Sequence, residues 1–245
     1  MKEREYGAWC VLTGQARQLS AALASLAAAA GPGLHAGCRP ITWGDEFALT
    51  PAELAPMGSA VASVRRASGA ARIVARELLG SLGEPAALAL PRLPSGAPRW
   101  PPGFVGSLAH DERFAVAIVA EARKISSVGV DVEPARPLPG ELLSIVATGL
   151  EQAQLRGDLF LARLLFCMKE AVYKATYPLD GLFLEHHDVQ VCLASSTART
   201  RSGRVLRVHA SVYPRFLALT VIPTEPASTS RVIPADEPAC GSSTR

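Results

Sequence analysis

The sequence Gly129-Val-Asp-Val-Glu-Pro134 carries much of the information in this chain. Its apolar residues predict a strand that ends at the proline, and strand side chains alternate between faces. Asp131 and Glu133 are two residues apart, so both carboxylates project from one side. An isolated pair of this kind could be surface charges that close a strand. A strand this apolar is largely buried, however, and buried carboxylates need a cation or hydrogen-bond donors.

A second segment, Phe166-Cys-Met-Lys-Glu-Ala-Val-Tyr-Lys174, has the apolar spacing of a helix. Glu170 and Lys174 are four residues apart and share a face of that helix. Alone, they could be an ordinary exposed ion pair. Together with the two carboxylates of the strand, Glu170 would complete an oxygen site suited to Mg²⁺ and a phosphate ester. Nearby lysines would add the charge that grips the phosphate.

The composition limits the classes of protein to be considered. The chain has 245 residues, of which 49% are hydrophobic and 19% charged, enough to bury the core of one large or two small domains. Its formal net charge of +3 comes without a dense basic patch or a nucleic-acid-binding motif. We therefore expect no nucleic acid as a partner. The charge suits a phosphorylated ligand or an acidic protein equally well.

Neither the cysteines nor the chain start indicates secretion or a membrane. Five scattered cysteines without Cys-x-x-Cys spacing argue against a disulfide framework and a zinc site. No apolar signal segment follows the charged residues 1–6. The alanine-rich run 21–30 is too short and weakly apolar to span a bilayer. We expect a cytoplasmic protein without a membrane span.

Hydrophobic periodicity and turn residues predict mixed helices and strands. Thr50, Pro51 and Glu53 have the spacing of a capping box that starts a helix. The other predicted helices cover about 15–30, 58–82, 141–150 and 159–175. The predicted strands cover 114–120, 125–132, 188–193, 205–212 and 216–222. Residues 91–102 are predicted to be loop, and no internal repeat is evident.

Several other polar residues have both an ordinary and a functional interpretation. His110, predicted to lie in a loop before a strand, could be structural or a donor to a phosphate. Arg65, Arg72 and Arg76 return to one helix face, which could be solvated or could bind anions. The pair at 186–187 is interpreted as loop, because adjacent histidines seldom ligate one ion. The chain lacks the P-loop, dinucleotide-binding, G-x-S-x-G and H-E-x-x-H patterns, which excludes the common nucleotide-binding and hydrolase templates.

Read together, these motifs resemble the 4′-phosphopantetheinyl transferases of the surfactin-synthetase type, in the branch of the enterobactin-pathway enzyme and its actinobacterial relatives. The resemblance covers about residues 45–222. It is carried by four blocks in the family's order: Arg65 with Arg72-Ile-Val-Ala-Arg76, Trp100-Pro-Pro-Gly-Phe-Val-Gly-Ser-Leu-Ala-His110, Gly129-Val-Asp-Val-Glu-Pro134 and Phe166-Cys-Met-Lys-Glu-Ala-Val-Tyr-Lys-Ala175.

The resemblance implies an α+β fold, a pseudo-dimer of two similar α+β halves with the active site in the cleft between them. The expected division is an N-terminal half over 1–123, a C-terminal half over 124–222 with the metal and catalytic motifs, and a disordered tail over 223–245.

The resemblance also assigns roles to individual residues. Asp131, Glu133 and Glu170 would be the Mg²⁺ ligands, with Glu170 also the base that takes the serine proton. Lys174 would grip the pyrophosphate and assist the leaving group. The expected coenzyme A contacts are Arg65, Arg72, Ser107, His110, Lys169 and Lys174.

The chain departs from the family pattern at three sites, which together hold five residues. Cys167-Met168 stands where small residues are usual, and Met168 could simply fill space in the core. Ala67-Ser68 replaces an acidic-aromatic pair, which could weaken coenzyme A binding. Ser95 stands where relatives often place a lysine for the 3′-phosphate, for which Arg92 or Arg99 could substitute.

The implied activity is Mg²⁺-dependent transfer of the 4′-phosphopantetheine arm of coenzyme A to a serine of an apo acyl or peptidyl carrier protein. This would activate polyketide, non-ribosomal peptide or siderophore synthases, the enzymes of secondary metabolite biosynthesis. A monomer is expected by resemblance. Two alternatives stay open: a non-catalytic protein of this fold that binds coenzyme A or a carrier, and a Mg²⁺-dependent phosphoesterase that uses the same carboxylates.

Overall fold

The computed structural model describes residues 3–224, with side chains from residue 12 onward. The helices in this range are α1 (Glu3–Ala30), α2 (Pro51–Leu54), α3 (Ala62–Ser81), α4 (Leu143–Val146), α5 (Gly149–Leu155) and α6 (Leu159–Asp180). The strands are β1 (Leu34–Pro40), β2 (Phe104–His110), β3 (Phe114–Glu121), β4 (Ile125–Glu133), β5 (Val189–Cys192), β6 (Thr197–Thr200), β7 (Val205–Ser211) and β8 (Phe216–Pro223).

The strands form two antiparallel sheets, as the α+β prediction requires. The first has the order β1-β3-β2, and the second has the order β4-β8-β7-β6-β5. Three residues separate Glu121 at the end of the first sheet from Ile125 at the start of the second. The sheets meet where β2 packs against β4, and there the Val130 N–H donates to Ser107 Oγ at 3.0 Å. This hydrogen bond therefore connects the first sheet, which precedes the three-residue link, to the second sheet, which follows it.

Alternation along β3 explains how the layers pack. Val116 and Ile118 face a core shared with α1, β4 and β8, whereas Ala117 and Val119 face α3. Both faces of β3 are therefore buried, which is why its sequence is continuously apolar. A further core lies between α6 and the second sheet. Among the described residues, no helix is long and apolar enough to cross a bilayer.

Gly129 sets the distance between β4 and α6. A Cβ atom built at this position would lie 1.9 Å from the carbonyl oxygen of Ala171 and 2.5 Å from the nitrogen of Ala175. The backbones of the strand and the helix are thus closer than any side chain allows. Because Asp131 follows Gly129 by two residues, this approach brings its carboxylate to the surface of α6.

One structural device occurs in both halves, although the sequence shows no evident repeat. In the first half, Glu53 is fully buried and its Oε2 accepts the Thr50 N–H at 2.8 Å, which confirms the predicted helix start. Its Oε1 accepts from Arg76 Nη1 at 2.9 Å and from the Leu90 N–H at 2.7 Å. Glu53 therefore ties a short helix, the long helix α3 and a distant loop together.

In the second half, Glu151 has the same arrangement. It lies three residues after Thr148, whose N–H donates to Glu151 Oε2 at 2.8 Å. The same oxygen accepts from Lys169 Nζ of α6 at 2.7 Å, and Oε1 accepts from the Val191 N–H at 2.8 Å. Both glutamates are buried and both pair with a cation of the long helix.

Several predicted elements differ from those in the structure. The helix expected over 141–150 is broken, because Thr148 caps a new helix through Glu151. His110 and the residues before it form β2 rather than a loop, held by seven pairs with β3. The strands β1 and β6 were not predicted. Pro223 belongs to β8 and Thr224 bonds to Lys124, so the predicted tail starts too early; its remainder lies outside the described residues.

We predict that Gly129→Ala lowers the free energy of unfolding by about 1 to 3 kcal/mol, because the added methyl group must push α6 away from β4. The measurement is chemical denaturation. Gly80→Ala is the control, since nothing lies within 4 Å of a Cβ there, and replacing this glycine in the last turn of α3 should raise the free energy of unfolding by about 0.4 to 1 kcal/mol. Equal effects at the two positions would contradict the close approach.

Candidate active site

A cleft of about 730 Å³ lies between the two halves. Its wall from the first half includes Leu93, Pro98, Arg99, Trp100, Val105, Gly106 and Ser107, and its wall from the second half includes Ser127, Tyr173, Lys174, Tyr177 and Pro178. Of the predicted site residues, Ser107 and Lys174 line this cleft. The mixture of aromatic faces and convergent polar groups is typical of a site for a small molecule.

Lys174 connects the cleft to the carboxylates of β4. Its Nζ lies 2.7 Å from Oδ1 of Asp131, which is buried. Burial opposes the positive charge, but attraction to Asp131 and Glu170 outweighs it and raises the pKa of Lys174. Burial also raises the pKa of Asp131, while Lys174 partly offsets that effect. The pair is therefore a strongly coupled charge pair at the edge of the cleft.

Glu133 projects from the same strand and is held by a cation of its own. Its Oε2 accepts from Arg163 Nη1 at 2.7 Å, and Arg163 Nη2 also donates to the Pro137 carbonyl at 3.1 Å. Burial raises the pKa of Glu133, and Arg163 works against that rise. Arg163 thus fixes the direction of this carboxylate and the loop that follows it.

Glu170 lies one turn before Lys174 on α6 and about a quarter of its side chain is exposed. Burial raises its pKa, and the charge of Lys174 lowers it. Its Oε1 lies 3.8 Å from Nδ1 of His186. The imidazole of His186 packs against Phe166 with the ring centroids 5.3 Å apart. His186, which was predicted only to be part of a loop, is therefore a neighbour of Glu170.

The residues present fit a divalent cation by chemistry and charge. Asp131 Oδ2 is buried and has no hydrogen-bond partner among the described residues, as expected of an oxygen that awaits a ligand. Asp131 and Glu170 are close enough for each charge to disfavour the other, and an added cation would relieve this repulsion. As arranged here, the described residues contain no group of three His, Cys, Asp or Glu side chains converging on one point. Lys174 supplies the neutralising charge instead.

The remaining predicted ligand contacts are spread over the first half. Ser107 is buried and its hydroxyl accepts from Val130. His110 is at the end of β2, where desolvation by its neighbours and the charge of Lys174 lower its pKa. Arg65 Nη2 donates to the Gly58 carbonyl at 2.7 Å. Neither His110 nor Arg65 is among the residues that line the cleft.

Arg72 and Lys169, both predicted to contact coenzyme A, are buried side chains outside the lining of the cleft. Arg72 is buried and donates to the Leu90 carbonyl and to Ser68, within 3.5 Å of Glu53. Burial lowers its pKa to about 10. Lys169 is 1% exposed, and neither residue lines the cleft.

The Lys169 ammonium group has three donors, and three acceptors surround it. Nζ lies 2.8 Å from the Val146 carbonyl, 2.7 Å from Glu151 Oε2 and 2.8 Å from the His186 carbonyl. These contacts use its full donor capacity. Its position in the motif predicts a phosphate contact, whereas in this structure its three donors are directed at these acceptors in the interior.

The departure at Cys167 also has a structural explanation. The thiol is fully buried, and its Sγ lies 3.7 Å from the Phe216 carbonyl. Burial raises its pKa well above the usual value, and the charge of Asp131 adds to the rise. Met168 is buried in the core between α6 and the second sheet, as its spacing indicated. Cys167 therefore lies in the interior of the protein.

Sequence reasoning missed Glu151, Arg163 as a partner of Glu133, and His186. The spacing of Thr148 and Glu151 is the same capping-box signal that was used at Thr50, so this signal was available. Nothing local marks the contact of His186 with Glu170, because the two residues are sixteen positions apart.

Family models match most of the described chain. The model for the 4′-phosphopantetheinyl transferase N-terminal domain matches residues 52–120. The model for the 4′-phosphopantetheinyl transferase superfamily matches residues 127–222. The two matches correspond to the first half after α1 and β1, and to the second half.

Characterised proteins give the same result. The chain is 39% identical to the 4′-phosphopantetheinyl transferase Svp of Streptomyces mobaraensis over 64% of its own length and 66% of that protein. It is 36% identical to Npt of Nocardia iowensis, covering 65% of this chain and 72% of that one. It is 37% identical to PptT of Mycobacterium tuberculosis, covering 68% and 75%. Both of these relatives are also named as 4′-phosphopantetheinyl transferases.

We predict that Lys174→Met lowers the free energy of unfolding by about 2 to 3 kcal/mol in buffer without divalent cations, because Asp131 is left buried and unpaired. The figure is below the roughly 3 to 5 kcal/mol of a fully buried pair, since Lys174 is partly exposed. Asp131→Asn in the same chain should restore most of the loss. Chemical denaturation measures both.

The control for this prediction is the exposed pair Arg136–Glu112, where Arg136→Met should cost less than about 0.5 kcal/mol. If the loss from Lys174→Met persists undiminished in the double variant, Asp131 is not its cause.

Proposed function

The chain belongs to the 4′-phosphopantetheinyl transferase family, whose enzymes move the 4′-phosphopantetheine arm of coenzyme A to carrier proteins, and we propose the roles that its residues take in this reaction. The single observation that carries the proposal is the position of Lys174. This lysine lines the cleft and at the same time contacts the buried carboxylate of Asp131. A ligand phosphate in the cleft and the carboxylate of Asp131 can therefore contact the same ammonium group.

Coenzyme A is proposed to occupy the cleft between the halves. Lys174 and Ser107 offer a cation and a hydroxyl to the phosphates from opposite walls, and Arg99 adds an exposed cation at the rim of the cleft. His110 and Arg65 stay proposed as outer phosphate contacts. The apolar surface of Trp100 and its neighbours is suited to the uncharged parts of the ligand.

Asp131, Glu133 and Glu170 are proposed to hold Mg²⁺. The orphaned Asp131 Oδ2 and the repulsion between Asp131 and Glu170 support this ligand set. When bound, Mg²⁺ would neutralise charge on the pyrophosphate oxygens. Glu133 can contribute only through the orientation that Arg163 allows, because one of its oxygens accepts from that guanidinium group.

The chemical step is the attack of a carrier-protein serine on the β-phosphate of coenzyme A. A new bond forms between the serine Oγ and the β-phosphorus, and the bond to the oxygen bridging the two phosphates breaks, so 3′,5′-ADP leaves. Glu170 is proposed to take the serine proton, directly or through a water. Its raised pKa makes it a better base near neutral pH. The ammonium of Lys174 stabilises charge on the leaving phosphate.

The acceptor is proposed to be an apo acyl or peptidyl carrier protein of a polyketide, non-ribosomal peptide or siderophore synthase. The net charge of +3 favours association with an acidic partner. We also propose that the protein acts as a monomer in the cytoplasm, with domains that divide near residue 123.

We predict that incubating apo carrier proteins with this protein, coenzyme A and Mg²⁺ adds one phosphopantetheine, and that EDTA blocks the addition. Intact-protein mass spectrometry measures the gain. Glu170→Gln should lower the rate at least about 100-fold, because the proton acceptor is lost. Circular dichroism and melting temperature serve as controls for its fold. Full turnover by a folded Glu170→Gln variant would overturn the assigned role. Failure of the wild-type protein on several carriers would instead favour a binding protein without activity.

We predict that Mg²⁺ raises the melting temperature of Lys174→Met more than that of the wild-type protein, because the ion replaces the missing ammonium group beside Asp131. The Asp131→Asn/Lys174→Met double variant should show only a small shift. Differential scanning fluorimetry over a Mg²⁺ series measures this without turnover. Equal shifts in all three proteins would contradict a metal site at Asp131.

A further inference from the structure

The buried pair Glu151–Lys169 includes the residue next to the proposed catalytic Glu170 on α6. Lys169 precedes Glu170 on α6 and is 1% exposed, and Glu151 is 2% exposed. Their side chains meet at 2.7 Å. Burial lowers the pKa of Lys169, and Glu151 opposes that change. A buried ion pair is weak evidence of a stabilising role, because desolvation can exceed the attraction. The desolvation cost of burying Glu151 and Lys169 therefore indicates a role other than stabilisation.

The contacts of this pair converge on the segments around Glu170. Lys169 Nζ donates to the Val146 carbonyl at the end of α4 and to the His186 carbonyl in the turn that leads to β5. Glu151 caps α5 and accepts from the Val191 N–H of β5. Four chain segments are thus tied to one turn of α6.

His186 links this network to the reacting groups. The ammonium of Lys169 fixes its carbonyl, and its imidazole is held against Phe166 with Nδ1 3.8 Å from Glu170 Oε1. The next residue, His187, is anchored through Nε2 to the Ser144 carbonyl at 2.9 Å. Movement of the Lys169 side chain would release the His186 backbone, and with it one wall of the space around Glu170.

We propose that Glu151 and Lys169 are positioning residues, which hold His186 and the Glu170 carboxylate in the geometry that proton transfer requires. The inference rests on the proposed function, in which Glu170 is the base. It replaces the role of coenzyme A contact predicted for Lys169. The two roles make different kinetic predictions: a positioning residue affects kcat, whereas a residue that binds coenzyme A affects KM for that substrate.

The equivalent pair in the other half provides a matched control. Glu53 caps a short helix, accepts a distant backbone N–H and pairs with Arg76 of the long helix α3. No proposed catalytic carboxylate adjoins this pair. Removing its two charges also takes a partner from the buried Arg72, which lies 3.5 Å from Glu53, so this variant disturbs at least as much buried ion pairing, but away from Glu170.

The experiment compares Glu151→Gln/Lys169→Met with Glu53→Gln/Arg76→Met. Both double variants remove the two charges and leave a glutamine that can still cap the short helix. We expect kcat for carrier modification to fall about 10- to 100-fold in the first variant, with KM for coenzyme A within about twofold of the wild-type value, because a base that is slightly misplaced loses rate rather than affinity. The second variant should keep its kcat within about threefold.

Lys169→Met alone should melt at a lower temperature than Glu151→Gln/Lys169→Met, because it leaves Glu151 buried and unpaired. Its kcat should remain as low as that of the double variant. Recovery of stability without recovery of rate would separate positioning from folding.

Three results would overturn the inference. The first is a wild-type kcat in folded Glu151→Gln/Lys169→Met, the second is an equal loss in the two double variants, and the third is a rise in KM for coenzyme A with kcat unchanged. If the wild-type protein itself modifies no carrier, the proposed function fails, and this inference fails with it. Active wild-type protein with an unaffected variant rejects the inference alone.

Discussion

The close approach of β4 and α6 at Gly129 is the constraint on which the rest of the molecule depends. With no side chain between them, the strand and the carbonyl of Ala171 come into direct contact. Asp131 and Lys174 then meet across the interface at 2.7 Å. Any larger residue at position 129 would separate the two motifs that supply the carboxylates. The close packing of β4 on α6 and the contact between Asp131 and Lys174 therefore both depend on the absence of a side chain at Gly129.

In the site, the effect of burial on the three carboxylates is opposed by nearby positive charges. Burial raises the pKa of Asp131, Glu133 and Glu170; Lys174 opposes this rise at Asp131 and Glu170, and Arg163 opposes it at Glu133. Clusters of this kind are common where function needs charge that the fold alone would not tolerate. The first half carries the equivalent buried pair Glu53–Arg76, which involves none of the carboxylates proposed to bind Mg²⁺. The buried glutamate–cation pair therefore occurs in both halves, and in only one of them does it adjoin the proposed catalytic residue Glu170.

The sequence was sufficient for elements that depend on local signals. The capping box at Thr50, the long helices and the apolar strands β3, β4 and β8 follow from spacing and composition. Strand β2 was missed because the glycine, serine and alanine in it give no apolar pattern, and its pairing with β3 decides its conformation. The direction of Lys169 could not be read from its motif. Its acceptors at Val146, Glu151 and His186 come together only after three segments have packed.

The interior location of Cys167 has a consequence for redox chemistry. Coenzyme A is itself a thiol, and a thiol–disulfide exchange requires an accessible thiolate on the protein. Cys167 is fully buried, and its raised pKa keeps it protonated beside Asp131. It is thereby excluded from forming a mixed disulfide with oxidised coenzyme A. A cysteine in the motif helix is therefore compatible with a thiol substrate, because the fold keeps the Cys167 thiol buried and protonated.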